Sequence, residues 1–385
     1  MSLISFPLIY YKNLISKSLP IISTTFPRKI TTKKELDDYI HFDNLTKNVT
    51  IPNKVPLDIY NKSIADPCYS MILRKGKQWR PTLGLIASSI FIKDLDNIKK
   101  HKKLYQLLYI SDLFHNASLI IDDIMDKSLY RRGKKCVHLL FGEDISINAG
   151  FSLLVFPMHH FVSNLKNKNY ALKGKILKNY MDEMTSIFLG QGWDTGAECK
   201  NVPQIQSYID TVLCKTGVCP RLILKMVKIY IEEFLHIKTG KIFNELLDLC
   251  DDFSVAFQIW DDLMNLIPSK ISKNKGKIGE DITEGKLTIM VLHTLLGNFN
   301  NSERLREILL MKTKDQNLID EAIKIMIDNG SIEYSQKAKD LYINSFERKC
   351  YNLMKGLNIG NVNQRKLNLN NVKALIELKN SLIKV

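Results

Sequence analysis

Residues 118–133 read SLIIDDIMDKSLYRRG, which predicts the acidic end of an apolar helix followed by a basic turn. Residues 104–127 carry apolar side chains at three- and four-residue intervals, the spacing of one buried helix face. Asp122 and Asp126 share a face of that helix because they are four residues apart, whereas Asp123 points about 100° away. Like charges at this spacing repel each other. The pair therefore favours a bound cation at the edge of an apolar interior over a solvated acidic turn.

The same helical spacing dominates the chain from about residue 57 onward, and strand-like alternation is nearly absent. No fixed-period repeat is present, which argues against a helical solenoid. We therefore predict an all-α fold, a single large bundle of about ten or more helices. The predicted domain covers residues 46–385.

Residues 1–34 contain six Lys or Arg and no acidic residue, and they are rich in Ser and Thr. This composition is typical of an organelle transit peptide, although the prolines and the weak amphipathic period fit a disordered extension equally well. We therefore predict that residues 1–45 form a basic N-terminal extension that is either disordered or a targeting segment. The expected location is cytoplasmic, with organelle targeting as the alternative.

Composition excludes several classes of protein. The chain has a formal charge of +15, but its basic residues are scattered and form no sustained block, so we expect an anionic substrate and no nucleic acid. The seven cysteines include no C-x-x-C pair, which argues against a disulfide framework or a zinc site. No stretch approaches about 18 uninterrupted apolar residues, so we expect no transmembrane segment.

A second acidic cluster, FQIWDDLMN at residues 257–265, also ends an apolar helical run. It contains Asp261 and Asp262, with Asn265 four residues after Asp261. Oxygen-rich turns of this kind suit hard cations, and Mg²⁺ is usually held by one or two carboxylates together with substrate phosphates. Two such clusters make unrelated solvated turns the weaker interpretation.

Cationic residues lie next to both clusters in the sequence. Arginine binds phosphate oxygens bidentately and lysine adds a point charge, so these residues predict an anionic, phosphate-bearing ligand. They are Lys77 and Arg80 in GKQWRP, Arg131 and Arg132 in RRG, Lys215 in KTG, and Lys277 and Lys286 in NKGKIGEDITEGKLT. Together with the apolar helices, they indicate a diphosphate attached to an apolar tail.

From about residue 57 to about residue 355 the chain resembles the trans-prenyltransferases, the farnesyl and geranylgeranyl diphosphate synthases. The resemblance rests on GKQWRP, HNASLIIDDIMDKSLYRRG, FGEDISINAG, GQGWD, KTG, FQIWDDLMN and GKIGEDITEGK, which occur in the family's order. It implies an isoprenoid-synthase-type all-α bundle around a central apolar cavity, usually as a homodimer. It also implies Mg²⁺-dependent condensation of isopentenyl diphosphate with an allylic diphosphate.

The same resemblance implies a role for individual residues. Asp122, Asp126 and Asp261 would ligate three Mg²⁺ ions in each active site. The residues that would bind the allylic diphosphate are Arg131, Lys215, Thr216, Gln258, Lys277 and Lys286. Those that would bind isopentenyl diphosphate are Lys77, Arg80, His115 and Arg132. For His115, a buried histidine with satisfied hydrogen bonds is the alternative interpretation.

The resemblance also bears on the length of the product. Ala117 and Ser118 lie five and four residues before Asp122, about one helical turn deeper. Both side chains are small, whereas the family's strict farnesyl synthases of the animal type have aromatic residues at these two positions. A twenty-carbon product, geranylgeranyl diphosphate, is therefore favoured, and fifteen-carbon farnesyl diphosphate remains open.

Two rivals share the implied fold. A non-catalytic regulatory subunit is expected to have lost an aspartate or a cation from the site, and this chain retains each one. A terpene cyclase uses a single diphosphate and has no need for the set formed by Lys77, Arg80, His115 and Arg132. The sequence therefore favours the synthase over both.

Overall fold

The computed structural model describes residues 8–40, 57–74, 76–165, 169–266, 278–297, 299–357 and 362–383, with side chains from residue 370 in the last range. Two compact units are present. The N-terminal unit comprises Phe6–Met181 and Leu222–Thr239, and the C-terminal unit comprises Asp182–Arg221 and Gly240–Val385. The predicted all-α fold is confirmed for the described part of the chain.

The helices of the N-terminal unit are α1 Leu8–Ser18, α2 Ile21–Thr25, α3 Lys33–Ile40, α4 Leu57–Tyr60, α5 Asp66–Ile72, α6 Trp79–Ser89, α7 Lys102–Met125, α8 Val137–Phe141 and α9 Glu143–Ser163. Two helices contribute to both units, α10 Tyr170–Gly196 and α12 Val218–Ile229. Single π-helical turns occupy Asn61–Ala65 and Tyr230–Phe234. The helices of the C-terminal unit are α11 Ile205–Lys215, α13 Ile242–Leu266, α14 Glu280–Glu284, α15 Ile289–Leu296, α16 Ser302–Met311, α17 Gln316–Asp328, α18 Ser331–Gly356 and α19 Val362–Leu382.

Helices α7 and α9 form the centre of the N-terminal unit and pack against each other along their length. A glycine permits their close approach, because a Cβ atom added at Gly150 would lie 2.8 Å from Cγ1 of Ile121. Helix α7 is buried on most of its surface, with Leu104, Leu107 and Phe114 fully inaccessible. This packing holds the acidic end of α7 in a fixed place.

The N-terminal segment is part of this core. Helices α1 and α2 pack against α6 and α7, and α3 packs against α9. Tyr11 is fully buried and donates a hydrogen bond to Oγ of Ser89 at 2.9 Å, while the hydroxyls of Ser18 and Tyr109 are 2.8 Å apart. A disordered extension does not describe residues 8–40, because later helices bury their apolar side chains. The boundary expected between residues 45 and 46 lies outside the described residues, and organelle targeting stays a prediction.

A two-stranded hairpin follows α7. Strand β1, Tyr130–Arg131, pairs antiparallel with β2, Lys134–Lys135. The two loop residues Arg132 and Gly133 have φ angles of 53° and 74°. Positive φ at both positions matches the twist of a two-residue hairpin loop. The RRG turn therefore has a defined geometry that the sequence did not reveal.

The C-terminal unit is built on α13 and α18, which pack along most of their length. Its core includes Ile259 and Leu263 of α13, with Leu292 of α15 and Leu309 of α16. Burial of these side chains leaves the polar end of α13, near Asp261, on the rim of the apolar core.

Among the described residues, only α9 is long and apolar enough to cross a membrane by length and composition. Of its apolar stretch, 56% is buried inside the protein. A core helix of a folded domain passes the same test, so the expected absence of a transmembrane segment stays a prediction.

Candidate active site

The predicted site residues divide between the two units, and each set has its own local structure. In the N-terminal unit, Asp122 lies on the last turn of α7 and Asp126 directly follows the helix, and both are half-buried. The backbone N–H of Asp126 donates to the carbonyl of Asp122 at 2.9 Å, which closes the helix. The two carboxylates therefore share one turn and remain accessible to a ligand.

Asp123 has a different role, because it is fully buried and paired with Arg131. Oδ1 of Asp123 accepts from Nε of Arg131 at 2.7 Å and lies 2.5 Å from its Nη2 atom. The same Nη2 atom is 3.7 Å from Oδ2 of Asp122. Burial raises the pKa of Asp123 and outweighs the opposing effect of Arg131. Burial lowers the pKa of Arg131, but the charge and hydrogen bond of Asp123, together with Asp122 and Cys136, outweigh it, so the pKa is raised and the guanidinium stays charged.

Arg132 points to other partners. Its Nη1 atom donates to Oδ1 of Asn116 at 3.1 Å and to the carbonyl of Arg74 at 3.3 Å. Gly76 leaves room for this guanidinium, since an added Cβ would lie 3.1 Å from Cζ of Arg132. Burial lowers the pKa of Arg132. The hairpin thus directs two adjacent arginines to separate places.

Arg74 holds the hairpin itself. It is 3% exposed and donates to the carbonyls of Arg131 at 3.1 Å and Lys135 at 2.8 Å, one on each strand. Its Nε atom donates to the carbonyl of Ser70 at 2.8 Å, within its own helix region. No sequence pattern pointed to Arg74, because the acceptors on the hairpin are backbone atoms far along the chain.

The remaining residues of the predicted isopentenyl diphosphate set lie in the same unit. Burial, followed by the charges of Arg80 and Arg132, lowers the pKa of His115 well below its usual value. The imidazole is therefore neutral at pH 7 and can act as a hydrogen-bonding group without adding charge. Arg80 stacks on the ring of Trp79, 4.4 Å from its centroid. Lys77 is exposed and precedes the first residue of α6 by two positions.

The two residues expected to set product length have different environments. Ala117 is fully buried, and its carbonyl oxygen lies 3.7 Å from a Cβ atom built on Gly150 of α9. Ser118 is half-buried, and its hydroxyl donates to the carbonyl of His115 at 2.9 Å. Ser118 lies one turn before Asp122 on the same helix face. Ala117 is therefore committed to helix packing, and Ser118 is the better candidate for contact with a substrate tail.

In the C-terminal unit, Lys215 forms an ion pair with Asp194, with Nζ 2.6 Å from Oδ2. Gly190 brings α10 close to the end of α11, since an added Cβ would lie 2.7 Å from the backbone carbon of Cys214. Asp194 belongs to the motif GQGWD, whose spacing suggested no role. It keeps Lys215 in place beside Thr216.

Thr216, Gln258, Asp262 and Tyr208 form a hydrogen-bonded chain. The hydroxyl of Thr216 donates to Oε1 of Gln258 at 2.6 Å, and Nε2 of Gln258 donates to Oδ1 of Asp262 at 2.8 Å. The hydroxyl of Tyr208 donates to Oδ2 of Asp262 at 2.7 Å. Burial and the nearby Asp281 raise the pKa of Asp262 to about 8, although both hydrogen bonds act in the opposite direction. Neither Tyr208 nor Asp262 was predicted to take part.

The segment that follows α13 is anchored to its last turn. Asn265 is 7% exposed, and its Oδ1 accepts from the backbone N–H of Asp281 at 3.3 Å. Its carbonyl accepts from the N–H of Gly279 at 2.9 Å. The side-chain oxygen considered as a metal ligand therefore holds this turn. Lys286 pairs with Glu284 at 2.5 Å, and Lys277 lies outside the described residues.

The carboxylates expected to bind Mg²⁺ all lie within the part of the chain that the structure describes. No group of three or more His, Cys, Asp or Glu side chains forms a closed metal site in this part of the chain. Asp122 and Asp126 form an open pair on one turn, and Asp261 is half-buried at the end of α13. An open set of one or two carboxylates fits Mg²⁺ that completes its coordination with water and phosphate. The donor chemistry therefore fits, and the assignment of three ions stays a prediction.

Comparison with protein families matches residues 61–326 to the polyprenyl synthetase family. The geranylgeranyl pyrophosphate synthase of Dictyostelium discoideum is 30% identical over 295 residues, which cover 76% of this chain and 88% of that protein. A sesterterpene synthase, btcA, of Colletotrichum orbiculare is 33% identical over 221 residues, which cover 57% of this chain but only 29% of that protein.

Among solved structures, geranylgeranyl pyrophosphate synthetase from Pyrococcus horikoshii superimposes with a TM-score of 0.66. The match covers 95% of this chain and 99% of that one at 22% sequence identity. At this identity, the likeness establishes the fold.

Proposed function

Because the chain belongs to the polyprenyl synthetase family and is a prenyltransferase, we propose that it condenses isopentenyl diphosphate with allylic diphosphates and that geranylgeranyl diphosphate is its main product. The observation that carries the proposal is the pair of adjacent arginines in the hairpin after α7. Arg131 is held by Asp123, while Arg132 is held by Asn116. Two separately oriented guanidinium groups suit an enzyme that binds two diphosphates.

Prenyl synthases are generally magnesium-dependent. Asp122, Asp126 and Asp261 would hold Mg²⁺, which when bound supplies positive charge to the departing pyrophosphate. Arg131 and Lys215 would bind the oxygens of the same diphosphate, each oriented by a carboxylate. Such preoriented cations stabilise the charge that develops as the leaving group departs.

In the proposed reaction, the allylic C–O bond breaks and pyrophosphate leaves with the electron pair. The double bond of isopentenyl diphosphate then attacks the allylic cation, and a proton passes to the released pyrophosphate. Lys77, Arg80 and Arg132 would hold isopentenyl diphosphate in line for this attack, and neutral His115 would assist as a hydrogen-bonding group. Correct placement of the two reactants supplies much of the rate enhancement in such a reaction.

The first experiment incubates the purified protein with labelled isopentenyl diphosphate, Mg²⁺ and dimethylallyl, geranyl or farnesyl diphosphate in turn. Incorporation into a twenty-carbon product is expected. Failure to incorporate label with any of the three allylic substrates would contradict the proposal and favour a non-catalytic subunit. Cyclisation of an allylic diphosphate without isopentenyl incorporation would instead indicate a terpene cyclase.

Metal ligation is tested with Asp122→Asn and Asp261→Asn. Each should lower kcat by about a hundredfold or more, because it removes a carboxylate that would hold Mg²⁺ beside the negative charge of the transition state. The matched control is Asp328→Asn, which changes an exposed carboxylate at the end of α17. Rates close to the wild type for either site variant would show that the ligand assignment is wrong.

Product length is tested at Ser118, where a larger side chain should shorten the space for the substrate tail. We expect Ser118→Phe to shift the main product from twenty to fifteen carbons, as sized by chromatography of the dephosphorylated alcohols. Ser16→Phe on the exposed face of α1 is the control. An unchanged product from an active, folded Ser118→Phe variant would remove Ser118 from the tail-binding surface. The cytoplasmic location and the homodimer stay predictions.

A further inference from the structure

Tyr208 and Asp262 are hydrogen-bonded to each other, and Asp262 is hydrogen-bonded to Gln258, which in turn contacts Thr216. Both Gln258 and Thr216 are proposed to bind the allylic diphosphate. Asp262 is 5% exposed and Tyr208 is 9% exposed, so neither offers a free surface to a substrate. Asp262 instead accepts one hydrogen bond on each of its oxygens, from Gln258 and from Tyr208. Two donors on two oxygens prevent rotation of the carboxylate.

This fixed carboxylate decides which way the amide of Gln258 faces. The two ends of a glutamine amide are similar in size, but one only accepts hydrogen bonds and the other only donates them. Asp262 accepts from the NH₂ end of Gln258, because its other oxygen is already bonded to Tyr208, and this turns the carbonyl end of Gln258 toward Thr216. The hydroxyl of Thr216 then donates its single hydrogen to that carbonyl. Each group in the chain is therefore oriented by the one before it.

The chain also joins two helices that carry site residues. Tyr208 lies on α11, two turns before Lys215 at the end of the same helix. Asp262 lies on α13, directly after Asp261 and one turn after Gln258. The hydrogen bond from Tyr208 to Asp262 therefore fixes the first turn of α11 against the last turns of α13.

We propose that Tyr208 and Asp262 are positioning residues of the allylic diphosphate site, which orient Thr216 through the amide of Gln258. This inference rests on the proposed function. Neither residue contacts substrate, and Asp262 acts as an acceptor in the chain rather than as a metal ligand. Loss of the Tyr208 hydroxyl frees one oxygen of Asp262 and lets the amide of Gln258 turn.

The test measures steady-state kinetics of Tyr208→Phe with both substrates varied. We expect kcat/KM for the allylic substrate to fall about tenfold, the scale of one buried hydrogen bond. The KM for isopentenyl diphosphate should change by less than about twofold, because its proposed ligands are held by other contacts. Tyr105→Phe is the matched control, since Tyr105 is also buried and donates a single hydrogen bond, to the carbonyl of Leu95 at 2.8 Å.

A double-variant comparison separates positioning from a general structural effect. Tyr208→Phe and Thr216→Val should each cost about tenfold, but the double variant should lose about tenfold rather than about a hundredfold, because both changes break the same chain. Tyr105→Phe combined with Thr216→Val should show independent effects. If Tyr208→Phe does not fold, as judged by circular dichroism, Asp262→Ala, which removes both acceptors of the chain, replaces it in both experiments.

Two results would overturn the inference while the wild type remains active. One is a Tyr208→Phe variant with wild-type kinetics, and the other is full multiplication of the losses in the double variant. A loss that affects both substrates equally, with a lowered unfolding temperature, would also count against positioning. An inactive wild type would instead refute the proposed function, so the two failures are distinguishable.

Discussion

Replacement of Asp123 by alanine tests the most deeply buried ion pair next to the site. Asp123 has no exposed surface, and the side chain of Arg131 is 24% exposed. Alanine removes the acceptor of both N–H groups and leaves the largely buried guanidinium with Asp122, 3.7 Å from Nη2, as its remaining acidic neighbour. Asp123→Asn retains an oxygen of similar size and removes only the charge.

The two variants should differ in the free energy of unfolding. Removing one partner of a buried ion pair costs about 3–5 kcal/mol, because the other charge is left uncompensated. Hydrogen bonds to charged groups contribute about 1.5–3 kcal/mol and neutral ones about 0.5–1.5 kcal/mol. The side-chain oxygen of asparagine can keep the hydrogen bonds from Arg131, and a neutral side chain avoids the desolvation of a charge that raises the pKa of Asp123. We therefore expect a loss of about 1–2 kcal/mol for Asp123→Asn and about 3–5 kcal/mol for Asp123→Ala.

Urea denaturation followed by far-ultraviolet circular dichroism measures these losses, and Asp96→Ala at an exposed position is the control. The control should stay within about 0.5 kcal/mol of the wild type. In the activity assay, the folded fraction of Asp123→Asn should also bind the allylic substrate more weakly, because Arg131 is less firmly oriented. An Asp123→Ala variant as stable as Asp96→Ala would refute the assigned role of the pair.

Two further predictions concern pH and helix packing. The folded state lowers the pKa of His115, so below about pH 6.5 the unfolded chain takes up this proton first and the stability from this site declines. Urea midpoints are therefore measured at about pH 7.5 and about pH 5.5, on either side of the usual histidine pKa. The difference between the two midpoints should be smaller for His115→Asn than for the wild type or for the exposed control His236→Asn. Gly150→Ala should lose about 1–3 kcal/mol through overpacking against α7, whereas Gly174→Ala, exposed within α10 with open space at Cβ, should gain about 0.5–1 kcal/mol. Equal unfolding temperatures for the two glycine variants would contradict the close packing of α7 and α9.

Helices and acidic clusters were predictable because their signals are local. The apolar period that ends at Asp122 and Asp126 coincides with the end of α7, and the period before Asp261 lies within α13. Spacing along one helix was sufficient for each of these predictions.

Other features depend on partners that are distant in sequence. Helical spacing predicted that Asp123 points away from the face of Asp122 and Asp126. Its partner Arg131 could be identified only from the structure of the hairpin. Tyr208 and Asp262 are 54 positions apart, and no pattern within either segment indicates their hydrogen bond. The N-terminal helices were missed for a similar reason, because their weak amphipathic period is completed by α6 and α7.

The packing of those N-terminal helices limits how much of the N-terminal segment a protease could remove from a folded protein. Tyr11, Phe26 and Ile30 are at most 1% exposed, and they precede the part of the chain that matches the family. A protease that cut after residue 40 would strip these side chains from the N-terminal unit and uncover the surfaces on which they lie, among them Ser89 of α6 and the ring of Tyr69 of α5. Removal of a segment that long should therefore leave an aggregation-prone protein, whereas a cut ahead of α1 would leave these three side chains in place.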